Sequence, residues 1–435
     1  MNKWLILCAA GLLAMAATGC ASGDEGSEPA AGSEQGTAKG KTALKLAIQK
    51  QSDYYAALEK GFEAKYPAID VQIKAYGQEY QKTANTELLA GKGADLYEID
   101  SLPIRDYQDK KTFVNLDDRL AQEKELDRDD LETNILQAVK LDGGTYAVPA
   151  GFSLRAFIGD GDALQTQSYD ERKWTWTDFA AFARQAIERE QASGKERRYA
   201  MTDYTPDMLL QEMFIDNYPA FVDPAARKAS FDGPEFTAMM KQIKQMYDDR
   251  VMSADPAASG KQLFYSAVLQ SPADFINGPY ALFANPVLVQ KPHAAGQPDG
   301  MRIIPQGQLA VNAKSPVQDK AWAFIAYALS KEAQSLPARP GMSLLKSVNA
   351  AQLDELRRQA KAGTYKLPGG KAVDVPDERF AQYAQLMDTA TNYALPDSQL
   401  MNIVSEEAIT YFGGQKSAEE AAKLIQNRVT TYLNE

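Results

Sequence analysis

Residues 42–76 read TALKLAIQKQSDYYAALEKGFEAKYPAIDVQIKAY, and this stretch decides the fold class. Leu44–Ile48 is an apolar run of strand length, and Ser52 offers an N-cap oxygen to a helix carrying Tyr55, Leu58, Phe62 and Tyr66. Pro67 ends that helix, and Val71–Tyr76 then alternates with period two, the mark of a strand. A helix through Leu88 and Leu89 follows, and GKGADLYEID at 91–100 reads as turn plus strand. Repeated βα units predict an α/β fold with mostly parallel sheet.

Farther along, helices carry start signals. TWTD at 175–178 fits a capping box ahead of an apolar face of Phe179, Phe182, Ala183, Ala186 and Ile187, which also assigns Trp176 to the core. SPVQ at 315–318 combines a cap, a first-turn proline and a glutamine that reaches back, so a helix is predicted to start at Ser315. SAEE at 417–420 predicts the same for the last helix, whose inner face holds Ala421, Ala422, Ile425, Val429, Tyr432 and Leu433.

The chain has 435 residues, enough for two or three domains. Its 47 basic side chains against 58 acidic ones give a net charge of −11, which argues against nucleic-acid binding through phosphate neutralisation. One histidine, His293, and two cysteines, Cys8 and Cys20, exclude a Cys/His zinc site and a disulfide framework. A Ser-His-Asp triad would have to use that single imidazole.

The start, MNKW followed by an apolar run from Leu5 to Ala17, has the form of an export signal and is too short for a membrane span. LAMAATGC at 13–20 resembles the end of a bacterial lipoprotein signal. Residues 1–19 are therefore read as a lipoprotein signal peptide and Cys20 as the acylated first mature residue. Residues 20–41 are read as a flexible tether, since their Gly, Ser, Ala and Glu are not expected to bury a core. The expected location is the extracytoplasmic face of the cell membrane, held through the N-terminal lipid.

FEAKYP at 62–67, GADLYEID at 93–100, NLDD at 115–118, GTYAVP at 144–149, WTWTDF at 174–179, NGPY at 277–280, AWAFIAYALS at 321–330 and the closing helix 421–435 occur in a familiar order. Together they resemble the extracellular solute-binding proteins of the family that includes maltose-binding protein. The resemblance implies a two-lobe periplasmic-binding-protein-like (type II) fold with a hinge and an interlobe ligand cleft. Lobe I would hold 42–150 and 306–338, and lobe II 151–305 and 339–435. The chain would cross between them near Val148–Arg155, Pro305–Val311 and Leu336–Leu344. The implied function is capture of a carbohydrate, an oligosaccharide, by hinge closure and delivery to the permease of an ABC importer. The protein would act as a monomer, without catalysis, cofactor or metal.

A sugar site needs carboxylates, amides or arginine for hydroxyls and aromatic rings for C–H faces. In open α/β sheets such groups sit on loops at the carboxyl ends of strands. On lobe I these loops offer Gln51, Asp53 and Tyr54, then Tyr76 and Gln78, then Asp100 and Ser101. Ser52 and Asp53 also suit helix capping. On lobe II, Asp203 and Tyr204 lie near the position of a sugar-stacking tyrosine in the family. Asn277 and Tyr280 match a segment where the family carries a cleft tryptophan. Trp174, Gln308 and Arg339 complete the expected set. The acidic body disfavours polyanionic ligands unless a local arginine such as Arg155 or Arg339 overrides the global field.

Competing chemistries are weaker. GTAKGKT at 36–42 has three residues between its glycines where a phosphate loop needs four. SLLK at 343–346 has the Ser-x-x-Lys form of penicillin-recognising enzymes but no accompanying Lys-Thr-Gly. Asp127–Asp130 and Asp160–Asp162 do not continue into a calcium loop. A secreted, lipid-anchored glycoside hydrolase needs only two carboxylates and stands as the enzymatic alternative. A sugar sensor that feeds no importer is the other.

Overall fold

The computed structural model describes residues 40–164, 174–258, 260–294, 297, 300–394 and 398–434. The signal segment 1–19, Cys20 and the tether up to residue 39 lie outside the described residues. No described helix is long and apolar enough to cross a membrane.

In chain order the strands are β1 (Thr42–Ile48), β2 (Ile69–Ala75), β3 (Leu96–Glu98), β4 (Gly151–Asp160), β5 (Val222–Asp223), β6 (Lys228–Ala229), β7 (Phe264–Leu269), β8 (Pro286–Val289), β9 (Met301–Gln306), β10 (Leu309–Val311) and β11 (Ala390–Asn392). The first sheet has the order β10-β3-β1-β2, with β1 parallel to β2 and β3 and β10 antiparallel to β3. The second has the order β11-β9-β4-β7, with β8 also pairing β4, and β5-β6 is a small separate ribbon. The parallel half follows from the βα repeats at 42–100. Its centre, β1, buries Leu44, Leu46, Ala47 and Ile48, as a strand covered on both faces must.

The expected caps form where local chemistry is uncontested. Ser52 Oγ accepts from Tyr55 N at 3.4 Å and opens the Asp53–Lys65 helix, whose Phe62 meets Phe324 edge-on at 5.0 Å. Thr175 and Asp178 form a reciprocal capping box on the Trp176–Ala192 helix, with N–H to oxygen distances of 3.2 and 2.8 Å. Ser417 and Glu420 do the same for Ala418–Asn434. The start predicted at Ser315 is displaced: the helix spans Gln318–Ala328. Ser315 Oγ instead donates to buried Asp95 at 2.6 Å and accepts from Val317 N at 3.1 Å, while Gln318 Nε2 donates to the Ala313 carbonyl. A hydroxyl that satisfies a buried carboxylate is worth more there than one more cap.

Three segments pass between the sheets. Val148 bridges Leu309, and β4 begins with Gly151 opposite Gln306. Between β9 and β10, Gly307 takes φ +62°, and a Cβ there would sit 3.1 Å from the Ala150 Cβ, so the turn needs glycine. Later, Met342 bridges Phe152. Gln334, fully buried, ties the first and the last of these segments to the end of the Gln318–Ala328 helix. Its Nε2 donates to the Ala150 and Ala328 carbonyls at 2.9 and 2.8 Å, and its Oε1 accepts from Ser343 Oγ and Leu344 N, both at 2.8 Å. Ser343, the serine of SLLK, is thus a buried structural hydroxyl.

Candidate ligand cleft

The junction of the two sheets is built around Asp100, which follows β3. Ile99 N donates to the Gln308 carbonyl at 2.8 Å, bringing the end of β3 against the Gly307 turn. Asp100 Oδ2 then accepts from Gly307 N at 2.6 Å, and Oδ1 accepts from Gln308 N at 3.0 Å and from Gln308 Nε2 at 3.2 Å. Asp100 keeps an exposed surface, yet the dense atoms around its carboxyl push the pKa up, opposed by these three bonds. The Tyr393 hydroxyl lies against the Gln308 side chain, and burial pushes its pKa up to about 12.

Beside Asp100 opens a cavity of about 240 Å³ with walls from both halves of the molecule. Gln81, Asp100, Ser101 and Arg105 come from the first-sheet side. Tyr218, Ser398 and Tyr432 come from helices whose apolar faces share one core with Phe157, Phe264 and Val289 of the second sheet, and Leu102, Leu400 and Leu433 add to the wall. Arg105 lines the cavity, and its pair with Asp142, at 4.0 Å, is weak and screened. A carboxylate, a guanidinium, hydroxyls and aromatic rings around one space can bind hydroxyl groups and cover an apolar ring face. A larger groove of about 840 Å³ runs between the Trp176–Ala192 and Pro234–Asp248 helices. Its walls come from the second-sheet side alone, so movement of one half against the other cannot enclose a ligand in it.

Of the expected site residues, the structure brings Asp100 and Ser101 into the cavity wall and sets Gln308 directly behind Asp100. Gln51, Asp53 and Gln78 are exposed and stand outside that wall. Tyr54 is buried in the core, where desolvation raises its pKa beside Arg339. Arg339 donates to the Gln334 and Gly341 carbonyls at 2.8 and 2.5 Å, and burial lowers its pKa to about 10. Tyr76 spends its hydroxyl on Glu87 at 2.7 Å and stacks on Tyr80. Asp203 is an exposed turn residue with φ +55°, and Tyr204 packs with its carbonyl accepting from the Tyr247 hydroxyl.

Two stacking assignments need correction. Trp174 is 3% exposed, donates Nε1 to the Gln290 carbonyl at 3.0 Å and meets Phe179 edge-on, so it is a core residue. Tyr280 is 7% exposed on the inner face of the Asp274–Leu282 helix, in the core beside Phe283 and Leu288, and neither ring reaches the cavity. Asn277 on that helix accepts from the Tyr365 hydroxyl at 2.7 Å, a structural tie. Arg105, Tyr218, Tyr393, Ser398 and Tyr432 were not singled out from sequence as ligand contacts. Arg105 could have been found, since it lies five positions after Asp100 on the short Ile104–Asp109 helix. Tyr432 reads as one more apolar position on the last helix and carries no distinguishing signal.

Residues 41–335 match the family described as bacterial extracellular solute-binding protein. Among curated proteins no sequence match is found. In fold the chain is similar to an extracellular solute-binding protein family 1 member from Alicyclobacillus acidocaldarius, with TM-score 0.63 and 16% identity over 92% of this chain and 100% of that one. It is also similar to the sugar-binding protein MalE from Xanthomonas citri, with TM-score 0.63 and 16% identity over 90% and 98% of the two chains. An ABC substrate-binding protein from Listeria monocytogenes in complex with cycloalternan gives TM-score 0.59 and 14% identity, over 91% and 99%. The two sheets, the segments that pass between them and the family match over residues 41–335 agree: this chain has the type II periplasmic-binding-protein fold and belongs to the bacterial extracellular solute-binding protein family.

Proposed function

We propose that this protein is the lipid-anchored substrate-binding component of an ABC importer. It captures an oligosaccharide between its two halves and delivers it to a membrane permease at the extracytoplasmic face. Lobe I is taken as 42–150 with 306–338, and lobe II as 151–305 with 339–435. Acylation of Cys20 would hold the monomer at the membrane, and the ligand would leave chemically unchanged. The observation that carries this reading is the cavity whose polar and aromatic wall is contributed from both sides of the inter-sheet segments. Hinge closure around such a space removes a ligand from water and gives a permease one closed shape to recognise. The sugar ligands of similar proteins support a carbohydrate over other solutes.

Calorimetric titration with linear and cyclic oligosaccharides tests it. Asp100→Ala removes a cavity-wall carboxylate and the tie to Gly307 and Gln308, and should weaken binding by about 1–3 kcal/mol. Undiminished affinity in that variant would place the ligand elsewhere.

A further inference from the structure

The second sheet contains a group of buried charges that does not balance. β4 and β9 set Arg155 directly opposite Arg302, and Lys291 follows β8. The Pro206–Asp216 helix presents Glu212 and, one turn later, Asp216. Arg155 Nη2 reaches Glu212 Oε1 at 2.5 Å, while Arg302 Nη2 and Lys291 Nζ reach Glu212 Oε2 at 2.5 and 3.0 Å. Arg302 Nη1 lies 3.4 Å from Asp216, which also pairs with Lys291. Burial alone would raise the Glu212 pKa, but Lys291, Arg302 and Arg155 hold it well below its ordinary value.

Among the described residues this group has three cations and two carboxylates, a surplus of one positive charge in a chain of net charge −11. Lys291, Arg302, Glu212 and Asp216 form a neutral quartet with side chains 7%, 8%, 12% and 3% exposed. Arg155 is the addition, and at 22% it is the most exposed member. Burial opposes the Arg155 charge, Glu212 outweighs that and raises its pKa, and a further anion would neutralise the group as a whole.

Arg155 is also partly exposed on the face of the second sheet. Alternate residues of a strand, and residues opposite one another across an antiparallel pair, share a face. Starting from the Asp100 junction, one such face carries Gln306, whose Nε2 donates to Ser153 Oγ at 2.7 Å, then Ile304, then Arg155. Gln306, Ile304 and Arg155 are partly exposed, whereas the next residue on that face, Phe157, is buried. Gly151, Ser153 and Arg302 on the same face are buried, so Arg155 is the one partly exposed residue that β4 presents there. Tyr204 lies close to Glu212, Arg155 and Arg302.

We propose that Arg155 reads an anionic substituent, and that the captured carbohydrate carries a carboxylate, as uronic acids do. This rests on the carbohydrate-binding reading above and specifies its substrate class. Glu212 holds the Nε/Nη2 edge of the Arg155 guanidinium fork, so the incoming carboxylate would meet the Nη1 side, and its charge would cancel the surplus.

The test is calorimetric titration of the intact chain with di- to tetrasaccharides of galacturonate, glucuronate and mannuronate. The same oligomers with methyl-esterified carboxyls and neutral malto-oligosaccharides serve as controls. One acidic series should bind at least about tenfold more tightly than its methyl ester, the scale of one charge-assisted hydrogen bond. Arg155→Gln should abolish that preference while its Tm stays within a few degrees, because the quartet left behind is balanced. Arg155→Lys keeps the charge without the fork, should recover part of the preference, and serves if the glutamine variant does not fold. Binding of neutral sugars with no acid preference overturns the inference and leaves the carbohydrate reading standing. An acid preference that survives Arg155→Gln overturns the role of Arg155. Failure of every sugar overturns the carbohydrate reading and this inference with it.

Discussion

Gln334 illustrates how much one residue can hold. Its amide joins the Ala150 and Ala328 carbonyls to Ser343 and Leu344 in a fully buried setting. Gln334→Ala strands these groups away from water and should cost at least about 3 kcal/mol in urea denaturation. A loss below about 1 kcal/mol would contradict that role. Glu212 gives a pH signature. Its folded pKa lies below the ordinary 4.5, so its contribution to stability is complete above that value and drains away as pH falls below it. Asp100 and Glu132, whose pKa values burial raises, act with the opposite sign. Thermal melts from pH 7 to pH 3 should find Glu212→Gln less stable than the parent at pH 7, with the gap closing below about pH 4.5. A constant gap would contradict the assignment. At this scale the sequence was readable in part. Asp100 stood out because a strand end followed by a turn is a local pattern. The partners of Arg155 did not, since they arrive from positions 57 and more residues away. Trp174 and Tyr280 were misplaced because a ring beside a loop looks the same in sequence whether it stacks on sugar or fills a core.

Elements were more legible than their boundaries. Caps at Ser52, Thr175 and Ser417 were evident because donor and acceptor lie within three residues of one another. The start at Ser315 was misread because its competitor, Asp95, is 220 residues away. Thr175→Ala removes one half of a reciprocal box on a helix whose inner face carries Phe179 and Phe182, and should lower stability by about 1 kcal/mol. Thr175→Ser should restore most of it. Equal losses in both variants would mean the threonine acts through its methyl group and not as a cap. The parallel pairing of β1 with β2 and β3 followed from the βα repeats, whereas antiparallel β10 comes from a segment more than 200 residues later. Periodicity cannot announce so distant a pairing.

For the whole molecule, the two sheets, the glycine turn at 307 and the cavity walled from both sides form a body suited to closing on a ligand. The resemblance carried in short motifs along residues 62–435 gave this architecture, while the cavity's shape depends on side chains from segments far apart in sequence. A ligand bound only by the folded, closed form stabilises it by mass action, by about 2.7 kcal/mol at 100 times its dissociation constant. The most direct measurement is therefore a thermal-shift screen of the protein against neutral and acidic oligosaccharides, amino acids and short peptides, with chromatography of any ligand that binds. The account predicts a rise in Tm with one oligosaccharide series, recovered intact. A response confined to peptides or amino acids, or recovery of a cleaved sugar, would contradict it.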